Sequence, residues 1–205
     1  EVLGAFYERQ ERAVRGALGQ KAATEWWNAE KWDAELASEL LALSTLTSAE
    51  AGRAASERLG GPVEGYDVER TQAFLSTVAE REAGEINKTT KAQIESALAG
   101  DDPVSAVKAV FAAAVSYRVA QMAVTLVTQA SGFGTVEAGR QLGGGRASKT
   151  WVVTSGNPRD NHARMDGETV GIDDVFSNGL DYPAVGGDPD EVANCRCEVI
   201  ISIPD

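Results

Sequence analysis

The chain has 205 residues and a formal net charge of −12, with 43% hydrophobic and 24% charged residues. These values are typical of a globular protein and exclude extensive disorder. The acidic balance argues against tight binding of DNA or RNA through a basic face. Two cysteines are too few for a disulfide-rich secreted domain.

The chain opens with EVLGAFYERQER, which has neither an initial Met nor the apolar core of a secretory signal. We therefore expect missing upstream sequence or processing, and a soluble protein made in a reducing cytoplasm. The longest apolar stretch lies between Asp102 and Ala130 and is interrupted by Lys108, Arg118 and Gln121. These interruptions predict that it is not a transmembrane span.

The first 142 residues are Ala-rich and favour a series of helices. Two capping boxes predict helix starts, Thr47 with Glu50 and Thr90 with Gln93, and two further candidate N-caps are Asp67 and Asp102. Gly60-Gly61-Pro62 predicts a helix stop. The helix after Asp102 is apolar nearly all round, which is typical of burial, so we predict it to be the central helix.

Residues 151–205 carry a net charge of −8, and the sequence after Lys149 is rich in Gly, Asp, Pro and β-branched residues. Short strands are predicted at Lys149–Thr154, Glu168–Ile172 after an Asp166-Gly167 turn, and Cys195–Ile203. In the last strand, alternation places on one face Cys195, Cys197, Val199, Ile201 and Ile203. The Gly/Pro/Asp-rich segment 175–192 is predicted to be a long ordered loop.

These patterns predict an α+β, mainly α fold, in which an N-terminal helical region precedes a small C-terminal module with a short β-sheet. We expect a variable helical region at 1–84, which is a candidate docking arm, and a second domain at 85–205. Within the second domain, 85–142 is helical, 143–148 is a Gly-rich joint and 149–205 contains the strands.

The only histidine, His162, and the only cysteines, Cys195 and Cys197, are candidate metal ligands. One His and two Cys supply three of the four ligands that zinc requires, and Asp166, Asp160 or a water is the candidate fourth. Residues i and i+2 of a strand lie about 6.5–7 Å apart, which disfavours a disulfide between the two cysteines. The alternative is a metal-free cluster of buried thiols beside a structural His.

Trp26, Trp27 and Trp32 are predicted to cluster on an N-terminal helix. Because Trp26 and Trp27 are adjacent, one of them tends to face outward, and an exposed Trp is a candidate docking anchor. The alternative is a helix packed on both sides.

Several motifs follow one another in residues 85–203. They are the segment Ile86–Leu98, Tyr117-Arg118-Val119-Ala120, Lys149-Thr150-Trp151, an Arg-x-x-His…Gly pattern (Arg159, His162, Asp166, Gly167), Phe176, and Asn194-Cys195-Arg196-Cys197. In order and spacing this series resembles the Mu F-like minor head protein family of tailed phages, also called phage head morphogenesis proteins. The Arg-x-x-His element is weak alone but fairly specific together with Asn-Cys-Arg-Cys.

The chain departs from the family pattern at two places. Thr125 is followed by Leu126 where the family often has a Thr-Glu pair, and Gly156-Asn157-Pro158 replaces the acidic residue usually found before the Arg-x-x-His element. The roles of those acidic groups are therefore not carried over to this chain.

The resemblance implies a non-enzymatic viral structural protein: a minor capsid component inside the virion that acts near the portal in head assembly and DNA delivery. The implied partners are the portal protein and the major capsid or scaffolding protein, with no membrane and no tight specific nucleic-acid binding. We expect assembly in the host cytoplasm and a final location in the capsid interior.

Two other functions are open at this point. One is a zinc-dependent hydrolase or nuclease that uses the cluster of His162, Cys195 and Cys197 with Asp160 or Asp166 as the base. The sequence has no Glu directly after the His, as His-Glu-x-x-His sites have, which counts against it. The other is an adapter domain that carries a fused effector into the virion.

Overall fold

A computed structural model describes residues 1–19, 26–62, 65–186 and 188–204. The fold is α+β and mainly α, as predicted, with a small antiparallel sheet near the C-terminus. The elements in chain order are α1 (Val2–Leu18), α2 (Ala29–Arg58), α3 (Glu69–Leu98), α4 (Pro103–Ala113), α5 (Val119–Gly143), β1 (Ser148–Val152), α6 (Asp160–Arg164), β2 (Thr169–Gly171), α7 (Pro189–Val192) and β3 (Glu198–Ser202). A π-helical turn, Ala114–Arg118, joins α4 to α5.

The chain divides into two compact units. The first consists of Glu1–Ala42 and Ala73–Ala120, and the second of Leu43–Gln72 and Gln121–Asp205. This division differs from the predicted boundary at residue 84, because α2 and α3 each run from one unit into the other. The predicted Gly-rich joint forms a short 3-10 helix, Gly144–Arg146, directly after α5.

The first unit has an apolar core built from residues at helical spacing. Its buried side chains include Leu3, Phe6 and Val14 of α1, Trp32, Leu36 and Leu40 of α2, Leu75 and Ile94 of α3, and Val107 and Phe111 of α4. A buried polar chain crosses three helices: the Gln10 amide donates to Asn87 (3.1 Å), and the Asn87 amide donates to Asp33 (2.9 Å). Both amide NH₂ groups have an acceptor, whereas the buried Gln10 carbonyl oxygen has no hydrogen-bond partner among the described residues.

The predicted caps at Asp67 and Asp102 are confirmed. Each carboxylate accepts a hydrogen bond from the backbone N–H three residues later, at Arg70 and Ser105, with 3.2 Å between the heavy atoms. The predicted stop is also confirmed, since α2 ends at Arg58, just before the Gly-Gly-Pro segment. Short polar side chains before an apolar periodic run thus locate these helix boundaries correctly.

The two capping boxes are wrong as helix starts. Thr47 lies inside α2 and Thr90 lies inside α3, and both helices are continuous through these positions. The Thr90 hydroxyl donates to the Ile86 carbonyl at 2.9 Å, which is the hydrogen bond that a Thr makes within a helix. The same four-residue pattern therefore occurs in the middle of a helix as well as at its beginning.

The predicted burial of the whole helix after Asp102 is also wrong. Along α4 and the π-turn the buried residues are Val107, Phe111 and Ala114, which form one stripe, while Val104 is 68% exposed. Burial becomes nearly complete only in the C-terminal half of α5, residues 129–139. An Ala/Val-rich sequence does not distinguish a core helix from one that buries a single stripe.

The helical run 103–146 is long and apolar enough to cross a bilayer by length and composition alone, and 17% of its most apolar window is buried. By length and hydropathy alone, Lys108, Arg118 and Gln121 therefore do not exclude a transmembrane helix, contrary to the prediction. Core helices pass the same test, so the finding identifies a feature of composition and does not place the chain in a membrane.

The three predicted strands are confirmed, with shorter bounds, and form an antiparallel sheet in the order β2-β1-β3. Trp151 of β1 lies opposite Val199 of β3, and Lys149 lies opposite Ile201, so all four side chains share the buried face. Helix α5 packs closely on this face: a Cβ at Gly139 would lie 2.8 Å from the Ile201 side chain. The alternation predicted for β3 directs Cys195 and Cys197 into the interior.

The tryptophans do not lie on one helix as predicted. Trp26 and Trp27 are half-buried and precede α2, with ring centroids 5.8 Å apart. Trp32 lies on α2 but is only 3% exposed, and its ring packs against Phe6 at 6.0 Å. Trp32 therefore belongs to the core of the first unit, and only Trp26 and Trp27 remain candidates for docking.

Candidate metal centre

His162, Cys195 and Cys197 come together in the second unit. The His162 Nδ1 atom lies 3.5 Å from the Cys197 sulfur and 3.7 Å from the Cys195 sulfur, and all three ligand atoms lie within 4.8 Å of one another. The residues are 1%, 2% and 3% exposed. The predicted combination of one His and two Cys therefore forms a compact, buried group that could hold a metal ion.

The Asn-Cys-Arg-Cys segment is shaped by hydrogen bonds to α5. Asn194 has a φ of +56°, a left-handed conformation that Asn tolerates better than most residues, and its N–H donates to the Thr125 hydroxyl at 2.8 Å. The Thr128 hydroxyl donates to the Cys195 carbonyl at 2.7 Å. Two threonines one helical turn apart thus position Cys195 before β3 begins.

Arg159 explains the Arg-x-x-His element. Its guanidinium donates to the Asp190 carbonyl at 2.7 Å and to the Ala193 carbonyl at 2.6 Å. Because Arg159 immediately precedes α6, these bonds connect the start of the helix that carries His162 to the segment that leads into the cysteines. The element therefore joins the two parts of the chain that supply the ligands.

Glu191 holds the other nitrogen of the histidine. Its Oε1 lies 2.8 Å from His162 Nε2, and the carboxylate also accepts from the amides of Asn161 (2.7 Å) and Asn178 (2.8 Å). An ionised carboxylate only accepts, so Nε2 donates to Glu191 and Nδ1 is the nitrogen that faces the sulfurs. Burial raises the pKa of Glu191, but the hydrogen bonds from Asn161, Asn178 and His162 outweigh it and lower that pKa.

Aromatic rings surround the group. The Trp151 ring packs edge-on against the His162 ring and against Phe176, with centroids 5.1 Å apart in both pairs. The buried Trp151 indole N–H has no well-formed hydrogen bond to the described residues. It lies close enough to Cys197 to oppose in part the rise in the pKa of that thiol, which the hydrogen bond to Cys195 and burial cause. A negatively charged sulfur would be a suitable acceptor for this donor.

The two thiols have opposite pKa shifts. A hydrogen bond from the Cys197 thiol lowers the pKa of Cys195 to about 6, against the effect of burial, and the Cys197 backbone N–H also faces the Cys195 sulfur at 3.5 Å. The bond that Cys197 donates, together with burial, raises the pKa of Cys197. The arrangement thus favours one thiolate, which is the form that binds a metal.

Lys149 and Arg140 anchor the loop that follows β2. The Lys149 side chain is fully buried and forms an ion pair with Asp181, and Arg140 contacts the same carboxylate at 3.1 Å. The Lys149 ammonium also lies 5.6 Å from the Phe176 ring centroid. The Lys-x-Trp motif therefore supports the site: Lys149 secures the loop and Trp151 packs on the histidine.

The predicted fourth ligand does not join the group. Asp166 is exposed, and its Oδ1 accepts from the Val153 N–H at 2.9 Å. Asp160 is exposed at the start of α6. Within the described ranges, the only cluster of metal-ligating side chains that contains His162 is the one with the two cysteines. The reason is local: the Asp166 side chain stabilises the turn after α6 instead of facing the interior.

The remaining motif residues have structural positions. Gly167 has a φ of +83°, as the predicted turn requires, and donates to the Trp151 carbonyl at 2.9 Å. Arg196 is exposed. Arg118 belongs to the first unit, where it donates to Thr90 (3.3 Å) and Gln93 (3.1 Å).

The sequence analysis missed Glu191, Asn161 and Asn178. A signal existed for Glu191, because ligating histidines usually donate to a carboxylate, and Glu191 lies four residues before Cys195. The acidic candidates Asp160 and Asp166 are close to His162 in sequence, whereas the fold brings Glu191 to it from 29 residues away.

Comparisons with protein-family models, with curated proteins and with solved structures found no match to this chain.

Proposed function

We propose that the chain is a non-catalytic structural protein of a phage head, and that a zinc ion on His162, Cys195 and Cys197 holds its C-terminal module together. The observation that carries the proposal is the geometry of these three ligand atoms. A tetrahedral zinc with bonds of about 2.05 Å to nitrogen and about 2.3 Å to sulfur separates those atoms by about 3.6 Å. The two distances from His162 Nδ1 are 3.5 and 3.7 Å.

The surroundings of the cluster support zinc over simple packing. The pair of His162 and Glu191 has the carboxylate–histidine arrangement that orients metal-bound imidazoles. Trp151 offers a buried N–H on the sulfur side. Zinc binds to exactly this mixture of nitrogen and sulfur ligands in a reducing compartment.

The burial of the cluster supports a structural role over a hydrolytic one. A catalytic zinc needs an open position that substrate can reach and a nearby base. Three protein ligands would leave one position open, but all three are at most 3% exposed. Asp166 is bonded to the backbone, and Glu191 is saturated by three side chains. A zinc-dependent hydrolase or nuclease is the alternative that measured turnover would establish.

The assignment to the phage head rests on the resemblance to the Mu F-like family. Supporting it, Arg159, Lys149 and Trp151 all contribute to one folded unit around His162 and the cysteines. We infer that the helices present the contacts to the portal protein and to the major capsid or scaffolding protein. The chain would then lie in the capsid interior after assembly in the host cytoplasm.

Metal content is the direct test of the zinc site. We expect elemental mass spectrometry of the purified chain to find one zinc per chain, and thiol titration to find both cysteines protected until a chelator is added. Two freely reactive thiols in a metal-free folded chain would contradict the site. Turnover of phosphodiester or peptide substrates that depends on zinc would instead support the enzyme.

Replacing Glu191 tests the orientation of the histidine. Glu191→Gln removes the negative charge that holds His162 Nε2, so we expect zinc affinity to fall about 10–100-fold in competition with a chromogenic chelator. Asp190→Asn, which changes an exposed acidic neighbour on the same helix, should leave the affinity within about twofold. Equal affinities for the two variants would show that Glu191 does not support a metal ligand.

Incorporation into heads tests the docking role of Trp26 and Trp27. We expect Trp26→Glu to reduce the copies of the chain per assembled head at least tenfold while its circular dichroism spectrum is unchanged, because buried aromatic anchors dominate interfaces. Leu46→Glu, at a side chain that is 71% exposed on α2, is the control and should incorporate normally. Normal incorporation of the Trp26 variant would show that Trp26 is not part of the docking surface.

A further inference from the structure

Strand β3 forms an open edge of the sheet. In the part of the chain that the structure describes, β3 pairs with β1 alone, so its other side has no partner strand. Alternate residues of a strand direct their N–H and C=O groups to opposite sides, which leaves a row of these groups facing away from β1. Natural proteins usually cover or blunt such an edge because it readily pairs with another strand.

A groove of about 920 Å³ runs beside this edge, within the second unit. Its lining consists of residues of α5, residues at the C-terminal end of α2 and just after it, Thr154, and residues 196–201. The helical residues that line it are mostly small, among them Ala51, Ala55, Ala123, Ser131, Gly132 and Thr135. Small side chains keep the helices from filling the space next to the strand.

The groove also presents apolar side chains to solvent. Ile200 of β3 is 56% exposed and Val127 of α5 is 52% exposed, and both line the groove. Exposed apolar side chains along a concave surface are typical of binding sites. The groove therefore combines unpaired backbone groups with apolar contacts, the two features by which peptides add to a sheet edge.

The charge of the groove differs from the charge of the chain. Arg58 and Arg196 line it and are exposed, and neither guanidinium has an ion-pair or hydrogen-bond partner among the described residues. The chain as a whole carries a net charge of −12. Two unpaired arginines on an acidic protein complement a negatively charged partner, with Glu198 as the one acidic group in the lining.

We propose that this groove binds an extended, acidic segment of another protein, which adds to the sheet as a fourth strand beside β3. Main-chain hydrogen bonds to the β3 edge hold the segment, its apolar side chains contact Ile200 and Val127, and its Asp or Glu residues pair with Arg58 and Arg196. The proposal does not rest on the zinc site or on the phage assignment.

Selection from a displayed library of random peptides of about ten residues, against the full chain, is the test. We expect the enriched peptides to alternate apolar and polar residues and to contain Asp or Glu. Synthetic copies should bind Arg196→Glu and Val127→Glu at least tenfold more weakly than the wild-type chain. Peptides methylated at alternate backbone nitrogens should not bind, because they cannot donate to the strand edge.

Arg164→Glu is the matched control, since Arg164 is exposed on α6 and lies outside the groove lining. It should bind the peptides as the wild-type chain does, and the circular dichroism spectrum and melting temperature of every variant are measured to confirm an intact fold. Failure to enrich any peptide, or enrichment of peptides that bind Arg196→Glu and Val127→Glu normally, would overturn the proposal. A wild-type dimer that Val127→Glu dissociates would show that a second copy occupies the groove.

Discussion

Removal of zinc by a chelator is expected to lower the melting temperature of the wild-type chain by about 8–16 °C. A ligand present at a thousand times its dissociation constant stabilises the folded state by about 4.1 kcal/mol. In a protein of this size, a change of 1 kcal/mol in the free energy of unfolding shifts the melting temperature by about 2–4 °C. Thermal unfolding followed by circular dichroism, with and without a chelator and then with zinc restored, measures the shift.

The variant Cys197→Ser should lower the melting temperature by a similar amount and make it insensitive to the chelator. Val199→Ala is the matched control, because Val199 is the next buried residue on the same face of β3. This variant buries two fewer carbons, so its free energy of unfolding should fall by about 1.6 kcal/mol, at about 0.8 kcal/mol per carbon. It should keep one zinc, and a chelator should lower its melting temperature as much as it does for the wild type. An unchanged wild-type melting curve in chelator would contradict the zinc site.

The size of this expected effect follows from where the ligands lie in the chain. His162 is separated from the cysteines by 33 and 35 residues. The intervening chain contains β2, the loop that Asp181 anchors, and the short helix α7. A metal ion would cross-link the two ends of this segment, so its loss should loosen α6 and the start of β3 together.

The sheet and the cluster of His162, Cys195 and Cys197 could be predicted from the sequence because both depend on simple patterns. Alternation of buried and exposed residues gives β3 its face, and the same alternation extends back to Cys195 and Cys197, which precede the strand and are buried. His162 is the only histidine, so no other residue competes with it for the role. The turn at Gly167 followed from its Asp-Gly sequence and is confirmed by a positive φ.

Features that depend on tertiary contacts could not be predicted in the same way. Asp166 was a reasonable fourth ligand by sequence, but its side chain bonds to the Val153 backbone. Glu191 reaches His162 only through the fold of the intervening loop. Thr90 matches a helix-start motif, yet it lies within α3, where its hydroxyl bonds to the carbonyl of the preceding turn.

The close contact of α5 with α2 in the second unit provides the other large expected effect. Gly134 of α5 lies against the α2 backbone: a Cβ at this position would be 2.2 Å from the Ser48 carbonyl oxygen and 3.1 Å from the Gly52 nitrogen. Both atoms belong to a helical backbone, so neither can move without displacing the helix. The side chain of Gly134 is therefore restricted to hydrogen by the approach of the two helices.

We expect Gly134→Ala to destabilise the chain by at least about 3 kcal/mol, which is the upper range for overpacking a core. Gly84→Ala is the matched control, since Gly84 lies inside α3 with nothing within 4 Å of its added Cβ. The free energy of unfolding of that variant should rise by about 0.5–1 kcal/mol, because Ala is more favourable than Gly in the interior of a helix. Urea unfolding of both variants gives the two free energies, and a Gly134→Ala chain as stable as the wild type would show that the helices do not approach this closely.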